Sequence, residues 1–173
     1  MIKKIQLPIT DKDIEGLKAG DAVLLSGKLL TGRDAAHKRM VEAIKNDSLS
    51  FDINGATIYY VGPCPAKKGD PIGSCGPTTS YRMDPYAPFL MDNGLKAMIG
   101  KGGRSKDVTD AIIRNGCVYF AAIGGAGAMY SKQVLSAQVI AYDDLGTEAV
   151  RELTVVDFPV IVAIDSKGDC IYK

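Results

Sequence analysis

Three cationic side chains and two threonines follow predicted strands in this sequence, and together they could bind a small anion. Arg33 lies where a strand turns into a helix, Thr78, Thr79 and Arg82 end a long loop, and Lys101 follows a short apolar strand. In open α/β sheets, ligands collect beyond the carboxyl ends of the strands. Because arginine holds a carboxylate through two hydrogen bonds, this set suits a small dianionic substrate. The pattern alone also fits ordinary solvated surface cations.

The glycine-rich segments do not match nucleotide-binding motifs. The segment GLKAMIGKGG has five residues between Gly94 and Gly100, where a phosphate-binding P-loop has four, and Gly102 replaces the required serine or threonine. The segment IGGAGAMYSK, which begins at Ile123, lacks the final glycine of the dinucleotide-binding motif. Neither segment is therefore predicted to bind a nucleotide.

The single histidine and the four cysteines give neither a triad nor a metal pattern. His37 falls among basic residues on a predicted helix, which favours an exposed helical histidine over a member of a Ser-His-Asp triad. The cysteines are too sparse for a disulfide scaffold and lack the spacing of a zinc ribbon; they are Cys64, Cys75, Cys117 and Cys170. We therefore predict no metal site made by this chain alone.

Helical periodicity alternates with short apolar runs at first, and β-like runs dominate the last third of the chain. Strands are predicted at Lys4–Leu7, Ala22–Leu30, Ala56–Val61, Lys96–Ile99, Val118–Ile123, Gln138–Tyr142, Val150–Val156, Val160–Ile164 and Asp169–Tyr172. Helices are predicted at Thr10–Leu17, from the GRD segment to Asn46, at Tyr86–Asn93 and at Ser105–Ile113. Residues 62–80 form a long irregular loop, which in a compact domain often serves function. We predict an α/β fold with a mixed sheet and helices on one or both faces.

Composition narrows the class of protein. The chain has 173 residues, which predicts one domain spanning residues 1–173. With 46% hydrophobic residues, 24% charged residues and a net charge of +1, neither disorder nor nucleic-acid binding is expected. The first residues, MIKKIQLPIT, lack the apolar region of a signal peptide, and the longest apolar run, Cys117–Tyr130, is too short to span a membrane. We expect a cytoplasmic protein with no membrane anchor.

Five ordered motifs resemble the C-terminal domain of class I iron–sulfur fumarases. They are GRDAAH, YYVGPCP, GPTTSYRMD, GKGGRSK and the IGGAGA loop, and the match extends from about Lys18 to Ile164. The same module resembles the β subunit of fumarate hydratase and of L(+)-tartrate dehydratase. The resemblance implies a swivelling β/β/α domain, in agreement with the α/β pattern.

The resemblance also implies roles for individual residues. Arg33, Arg82 and Lys101 would bind the carboxylates of a small dicarboxylate substrate, and Thr78 would be the catalytic base at the carbon next to a carboxylate. A threonine hydroxyl is a weak base unless nearby cations stabilise its alkoxide. Thr79 and His37 are second-rank candidates, and His37 would lie behind the site or contact substrate.

The resemblance further implies that the catalytic groups are distributed over two chains. A [4Fe-4S] cluster would be held by three cysteines of a separate α subunit, and its open iron would bind the substrate hydroxyl and a carboxylate. The acid would also come from that partner, so this chain would supply no cluster ligand and would be inactive alone. We therefore expect a hetero-oligomer.

Two alternatives to a fumarate hydratase β subunit stay open. The β subunit of L(+)-tartrate dehydratase, which converts tartrate to oxaloacetate, differs in its substrate by a hydroxyl group, and the shared motifs do not separate the two. A non-catalytic dicarboxylate-binding module is the other alternative, although a pure binder has no need of Thr78 at its position.

Overall fold

The computed structural model describes the whole chain, Met1–Lys173, as seven strands, five α-helices and two 3₁₀ helices. The strands are β1 (Lys3–Gln6), β2 (Ala22–Thr31), β3 (Thr57–Tyr59), β4 (Ala97–Gly100), β5 (Val118–Ala121), β6 (Val134–Ala141) and β7 (Val150–Ile164). The α-helices are α1 (Asp11–Glu15), α2 (Asp34–Lys45), α3 (Ala87–Asp92), α4 (Lys106–Asn115) and α5 (Gly127–Ser131). The 3₁₀ helices are Ser80–Met83 and Asp143–Glu148. The predicted α/β class is confirmed.

One mixed sheet closes on itself to form a small barrel. The strand order is β1-β2-β3-β4-β5-β7-β6, with an additional pairing between β2 and β7. Strands β1 to β5 pair in parallel, whereas β7 runs antiparallel to β2, β5 and β6. Parallel pairing places the carboxyl ends of β2, β3, β4 and β5 at one edge of the sheet, and the motif loops therefore leave the barrel on the same side.

The barrel strands are buried on both faces, which explains their continuous apolar runs. Alternate residues along a strand point to opposite faces, and on β3 and β5 both faces are covered. Tyr59 and Phe120 belong to an inner core of 24 buried residues, whereas Ile58 and Tyr119 belong to an outer core of 20 buried residues beneath helices α2, α3 and α4. The helices are thus held against the outside of the barrel by apolar packing.

Local capping signals set several helix ends. The Thr10 side chain accepts a hydrogen bond from the backbone N–H of Asp13 at the start of α1, and Ser105 caps α4 in the same way through Val108. Gly116 ends α4 in the left-handed conformation, with φ of 61°. These ends agree with the predicted helices.

The structure corrects the predicted strands near the C-terminus. Val150–Ile164 is one strand of 15 residues rather than two, because Asp157 adopts a positive φ of 49° and donates its backbone N–H to Ser26 Oγ across a bulge. The predicted strand at Asp169–Tyr172 is wrong: the segment makes only an isolated bridge between Cys170 and Ile164. The glycine-rich loop that begins at Ile123 is present and leads into a short helix, α5, at Gly127.

The long segment that follows β3 has no helix or strand until the 3₁₀ helix at Ser80, in agreement with the prediction for residues 62–80. Within the segment, Cys64 N–H donates to Ser74 O, and at its end Thr78 N–H donates to Tyr60 O directly after β3. The chain contains no helix with the length and apolar character needed to cross a membrane.

Candidate active site

The motif loops meet at the carboxyl edge of the parallel strands. Thr79 forms a parallel bridge with Lys101, and the backbone N–H of Ser80 donates to Lys101 O over 2.9 Å. On the other side, a Cβ added to Gly62 would lie 2.9 Å from Arg33 Cδ, so the loop after β3 passes directly over the Arg33 side chain. The structure therefore gathers the predicted residues at one edge of the barrel.

Arg33 precedes α2 and carries an unpaired donor. Its side chain is about one-quarter exposed, and its Nε lies 4.0 Å from Glu148 Oε1. Nε itself is buried and has no hydrogen-bond partner. Because a buried N–H group without an acceptor is costly, the hydrogen bonding of Arg33 is incomplete within this chain.

Arg82, in the 3₁₀ helix Ser80–Met83, connects that helix to the start of α2. Its Nε donates to Asp34 Oδ2 over 3.1 Å, and both side chains are partly exposed. Asp34 Oδ1 is buried without a partner. Arg33 Nε, Asp34 Oδ1 and His37 Nε2 are thus three unpaired buried atoms in the first turn of one helix. Such a cluster marks this turn as the place where a ligand or an ordered water molecule would complete the hydrogen bonding.

Lys101 leaves β4 next to the threonine pair. It is exposed, and a Cβ on Gly124 would lie 3.7 Å from Lys101 Cδ, which places the lysine stem over the IGGAGA loop. A Cβ at the preceding Gly100 would overlap Ser80 Oγ and would lie 2.8 Å from Tyr60 Cδ2. Glycine at that position therefore allows the turn that carries Thr78 and Thr79 to approach β4.

The Thr78–Arg82 turn connects the two cationic parts of the site. Thr78 and Thr79 are half-buried at its start, where Thr79 pairs with Lys101, and Arg82 contacts Asp34 three residues later. Any anion bound between the two parts would meet positive charge from both.

His37 lies behind Arg33 and is fully buried, so the exposed-histidine interpretation is wrong. Its Nδ1 lies 2.7 Å from Arg33 O, and its ring packs against Tyr60 and Tyr86 with centroid distances of 5.3 and 6.2 Å. Burial lowers the pKa of His37 to about 4, with the charge of Arg104 acting in the same direction. The imidazole is therefore neutral near pH 7, with the proton on Nδ1 donated to the Arg33 carbonyl.

A buried ion pair beneath the turn was missed by the sequence analysis. Arg104 Nε donates to Asp84 Oδ1 over 2.7 Å, and the arginine side chain is fully buried. The one available signal was that Arg104 directly follows the GKGG motif and Asp84 closes the GPTTSYRMD motif. Nothing in the residue types themselves separates a buried arginine from an exposed one.

The residues present do not fit a metal ion or an iron–sulfur cluster. No group of three or more His, Cys, Asp or Glu side chains is placed to hold a metal. All four cysteines are free, and only Cys64 and Cys170 are exposed. Burial raises the pKa values of Cys75 and Cys117 to about 11, which disfavours the thiolates that clusters require.

Two clefts lie at different ends of the barrel, and one of them is on the side of the motif loops. A cleft of about 370 Å³ lies between the loop after β3 and the second 3₁₀ helix, with Cys64, Thr147 and Arg151 in its walls, and none of the candidate substrate-binding cations or threonines lines it. A cleft of about 450 Å³ lies at the opposite end of the barrel, near Asn54 and Lys96. The motif residues are absent from that second cleft, so it is separate from the candidate site.

Comparison with known proteins assigns the family. The family model described as the fumarase C-terminus matches residues 1–173. A protein of Methanocaldococcus jannaschii, provisionally named L(+)-tartrate dehydratase subunit beta, is 42% identical over 95% of this chain and 88% of its own length. The anaerobic class I fumarate hydratase of Escherichia coli K12 is 39% identical over 86% of this chain, and fumarate hydratase 2 of Leishmania major is 38% identical over 89%.

The two kinds of relative differ in length. The match covers 28% of each of these two fumarate hydratases, whereas it covers most of the tartrate dehydratase β subunit. The module is thus shared by long single chains and by a short separate subunit. Since the family model matches from end to end, this chain belongs to the fumarase C-terminus family.

Proposed function

We propose that this chain is the β subunit of an iron–sulfur hydro-lyase that interconverts fumarate and (S)-malate together with an α subunit. The observation that carries the proposal is the convergence of Arg33, the Thr78–Arg82 turn and Lys101 at one edge of the barrel. The names of the relatives support hydro-lyase chemistry, and their lengths support a partner that supplies the rest of the enzyme.

In this proposal, the three cations bind the two carboxylates of the substrate. Arg33 offers a guanidinium that is about one-quarter exposed, and Arg82 offers a partly exposed guanidinium that contacts Asp34, the residue after Arg33. Lys101 adds a point charge on the other side of the turn. A dicarboxylate matches this separation of positive charge better than a monoanion does, because both of its ends find a cation.

Thr78 serves as the base in the direction that removes water from malate. Its hydroxyl oxygen takes the proton from the carbon next to a carboxylate, and the same proton returns to carbon in the hydration direction. The alkoxide character that this step requires is stabilised by the cations around the turn. The leaving hydroxyl group takes its proton from an acid on the α subunit.

We assign the [4Fe-4S] cluster of this enzyme to the α subunit. The cysteines of this chain are dispersed, and no group of side chains is arranged to hold a metal, so its residues do not fit the cluster. The part of this chain in the reaction is therefore confined to carboxylate binding and to proton transfer at carbon.

Dehydration of L(+)-tartrate is a second candidate for the same site. The relative named as a tartrate dehydratase β subunit is matched over 88% of its length, so it shares the separate-subunit organisation that we propose here. The two substrates carry the same carboxylates and differ in hydroxyl groups, and the residues that distinguish them include residues of the α subunit.

Anaerobic co-expression with the α subunit tests the proposal. The chain alone, the α subunit alone and the purified pair are each assayed with fumarate, malate and L(+)-tartrate. We expect activity only in the pair, with the ratio of kcat/KM values separating the two hydro-lyases. A chain that forms no complex and binds dicarboxylates without turnover would instead establish a non-catalytic binding module.

A further inference from the structure

A buried arginine lies directly under the candidate site and contacts three strands or their ends. The Arg104 guanidinium carbon lies 5.2 Å from the ring centre of Tyr60 and 4.7 Å from that of Tyr119. Its Nη2 donates to the Tyr60 hydroxyl over 3.1 Å, and its Nη1 lies 3.7 Å from Met98 Sδ. The cation is thus enclosed between the aromatic rings and is held in one orientation.

Asp84 connects this cation to the turn of the candidate site. One carboxylate oxygen accepts from Arg104 Nε, and the other accepts from the backbone N–H of Ser105, both over 2.7 Å. Asp84 directly follows the 3₁₀ helix that contains Arg82. The carboxylate therefore fastens the turn with Arg82 to the segment that begins with Lys101.

Tyr119 makes a second connection between the same two segments. Its hydroxyl lies 2.7 Å from both Ser80 Oγ and Gly102 O, so it accepts from the serine and donates to the carbonyl. Ser80 N–H in turn donates to Lys101 O. Two independent bridges, through Asp84 and through Tyr119, thus meet at Arg104.

This arrangement is unlike the other arginine pairs of the chain. Arg114 pairs with Asp92 between α4 and α3, where both side chains are about half exposed. Burying a charged pair is expensive, and well-packed apolar residues often stabilise a fold equally well. A buried arginine instead orients its neighbours, because its planar guanidinium contacts several partners at fixed positions at once.

We propose that Arg104 is a positioning residue that holds the Thr78–Arg82 turn and Lys101 in their catalytic arrangement through Asp84 and Tyr119. The inference rests on the proposed function, in which that turn carries the base and Lys101 binds a carboxylate. Arg104 itself does not contact substrate. Small displacements of a base from its reacting atom lower turnover strongly, so the network sets kcat.

The first test measures local order in this chain with the double variant Arg104→Met/Asp84→Asn, which leaves no unpaired buried charge. Amide hydrogen exchange by NMR reports on the Ser80 N–H, which donates to Lys101 O, and on the Val118 N–H, which donates to Lys96 O at the far end of the strands. We expect exchange at Ser80 to become at least about tenfold faster than in the wild type, with Val118 unchanged. Unchanged exchange at Ser80 would overturn the proposal.

The second test measures the assembled enzyme with the α subunit. We expect the double variant to lose kcat by on the order of 10²-fold while KM rises less, because the base is displaced whereas Arg33, which makes no contact in the Arg104 network, still binds a carboxylate. The matched control is Arg114→Met/Asp92→Asn, which removes the same type of pair from the surface and should leave both constants unchanged. Equal kcat values per assembled complex for the double variant and the wild type would contradict a positioning role.

Arg104→Lys provides a milder second variant that keeps a positive charge beside Asp84 and removes the planar group that contacts Tyr60 and Tyr119. As in the double variant, exchange of the Ser80 N–H should become faster and kcat should fall. This variant decides the proposal if the double variant does not fold. Wild-type enzyme without activity on fumarate, malate or tartrate would refute the proposed function. The exchange measurement would then still decide whether Arg104 orders the turn.

Discussion

His37 donates its Nδ1–H to the carbonyl oxygen of Arg33 over 2.7 Å, from a position where no part of the histidine reaches solvent. The same carbonyl accepts the backbone N–H of His37. The histidine therefore fixes the backbone at the start of α2, and it orders Arg33 from behind the site.

The buried histidine predicts a pH dependence of stability. Its pKa is lowered to about 4 in the folded chain and is near the ordinary 6.5 in the unfolded chain, so the unfolded state binds more protons between these values. The free energy of unfolding therefore falls as the pH drops from about 6.5 to about 4, by roughly 2–3 kcal/mol from this group.

Urea unfolding of the wild type and of His37→Asn from pH 4 to pH 8 measures this effect. The asparagine amide preserves a donor for Arg33 O but does not titrate. The free energy of unfolding of the wild type should therefore fall toward that of His37→Asn as the pH is lowered. Carboxylates titrate in both proteins and cancel in the comparison. A pH-independent difference would show that His37 does not charge on unfolding.

Removing the Thr78 hydroxyl tests the proposed base. Thr78→Ala should lower kcat by on the order of 10²–10⁴-fold without preventing assembly with the α subunit, because its backbone N–H still donates to Tyr60 O. Steady-state kinetics of the assembled pair give the value. Thr109→Ala, at a half-buried position on α4 outside the motif loops, is the control and should retain full turnover. Normal turnover in Thr78→Ala would eliminate the threonine as base.

Replacing Arg33 tests carboxylate binding. A hydrogen bond to a charged group contributes about 1.5–3 kcal/mol, so Arg33→Met should raise KM by roughly 10- to 100-fold. Arg39→Met is the control on the same helix, since Arg39 pairs with Asp144 at the surface. Initial-rate measurements over a range of substrate concentration compare the two. An equal effect of both substitutions would point to a general change in charge rather than to a binding site.

The close approach at Gly100 predicts a large difference between two neighbouring glycines. An added Cβ at Gly100 would overlap Ser80 Oγ, whereas one at Gly103 would have no neighbour within 4 Å. Gly100→Ala should therefore destabilise the fold by about 1–3 kcal/mol and displace the turn, while Gly103→Ala should change little. Thermal and urea unfolding of both variants provide the comparison, and equal stabilities would show that the turn moves away at no cost.

Sequence reasoning was most reliable where local chemistry decides the structure. Ser105 and the Asn115-Gly116 pair mark the ends of α4, and the apolar runs around Tyr59 and Phe120 mark strands. It failed at Val150–Ile164, where Asp157 resembles a turn residue. The continuous strand there depends on Ser26 of a distant strand, which accepts the Asp157 N–H.

In the site, too, local motifs predict some features, whereas others depend on packing between residues that are distant in sequence. The resemblance of the motifs singled out Arg33, Thr78, Arg82 and Lys101, and the parallel sheet explains why such loops meet. His37 was misjudged because its basic neighbours face solvent while its own side chain faces the core. Which face of a helix is buried depends on the packing of α2 against the barrel, and a short basic segment does not reveal it.

The pairing between β2 and β7 also constrains how the chain acquires its structure during synthesis. These strands join residues 22–30 to residues 152–161, so the barrel has no closing strand until nearly the whole chain has been made. A nascent chain that ends after β5 exposes the unpaired edges of β2 and β5, which are templates for association with other chains. Folding of this domain is therefore dominated by contacts between distant residues, and it is completed only after translation has passed β7.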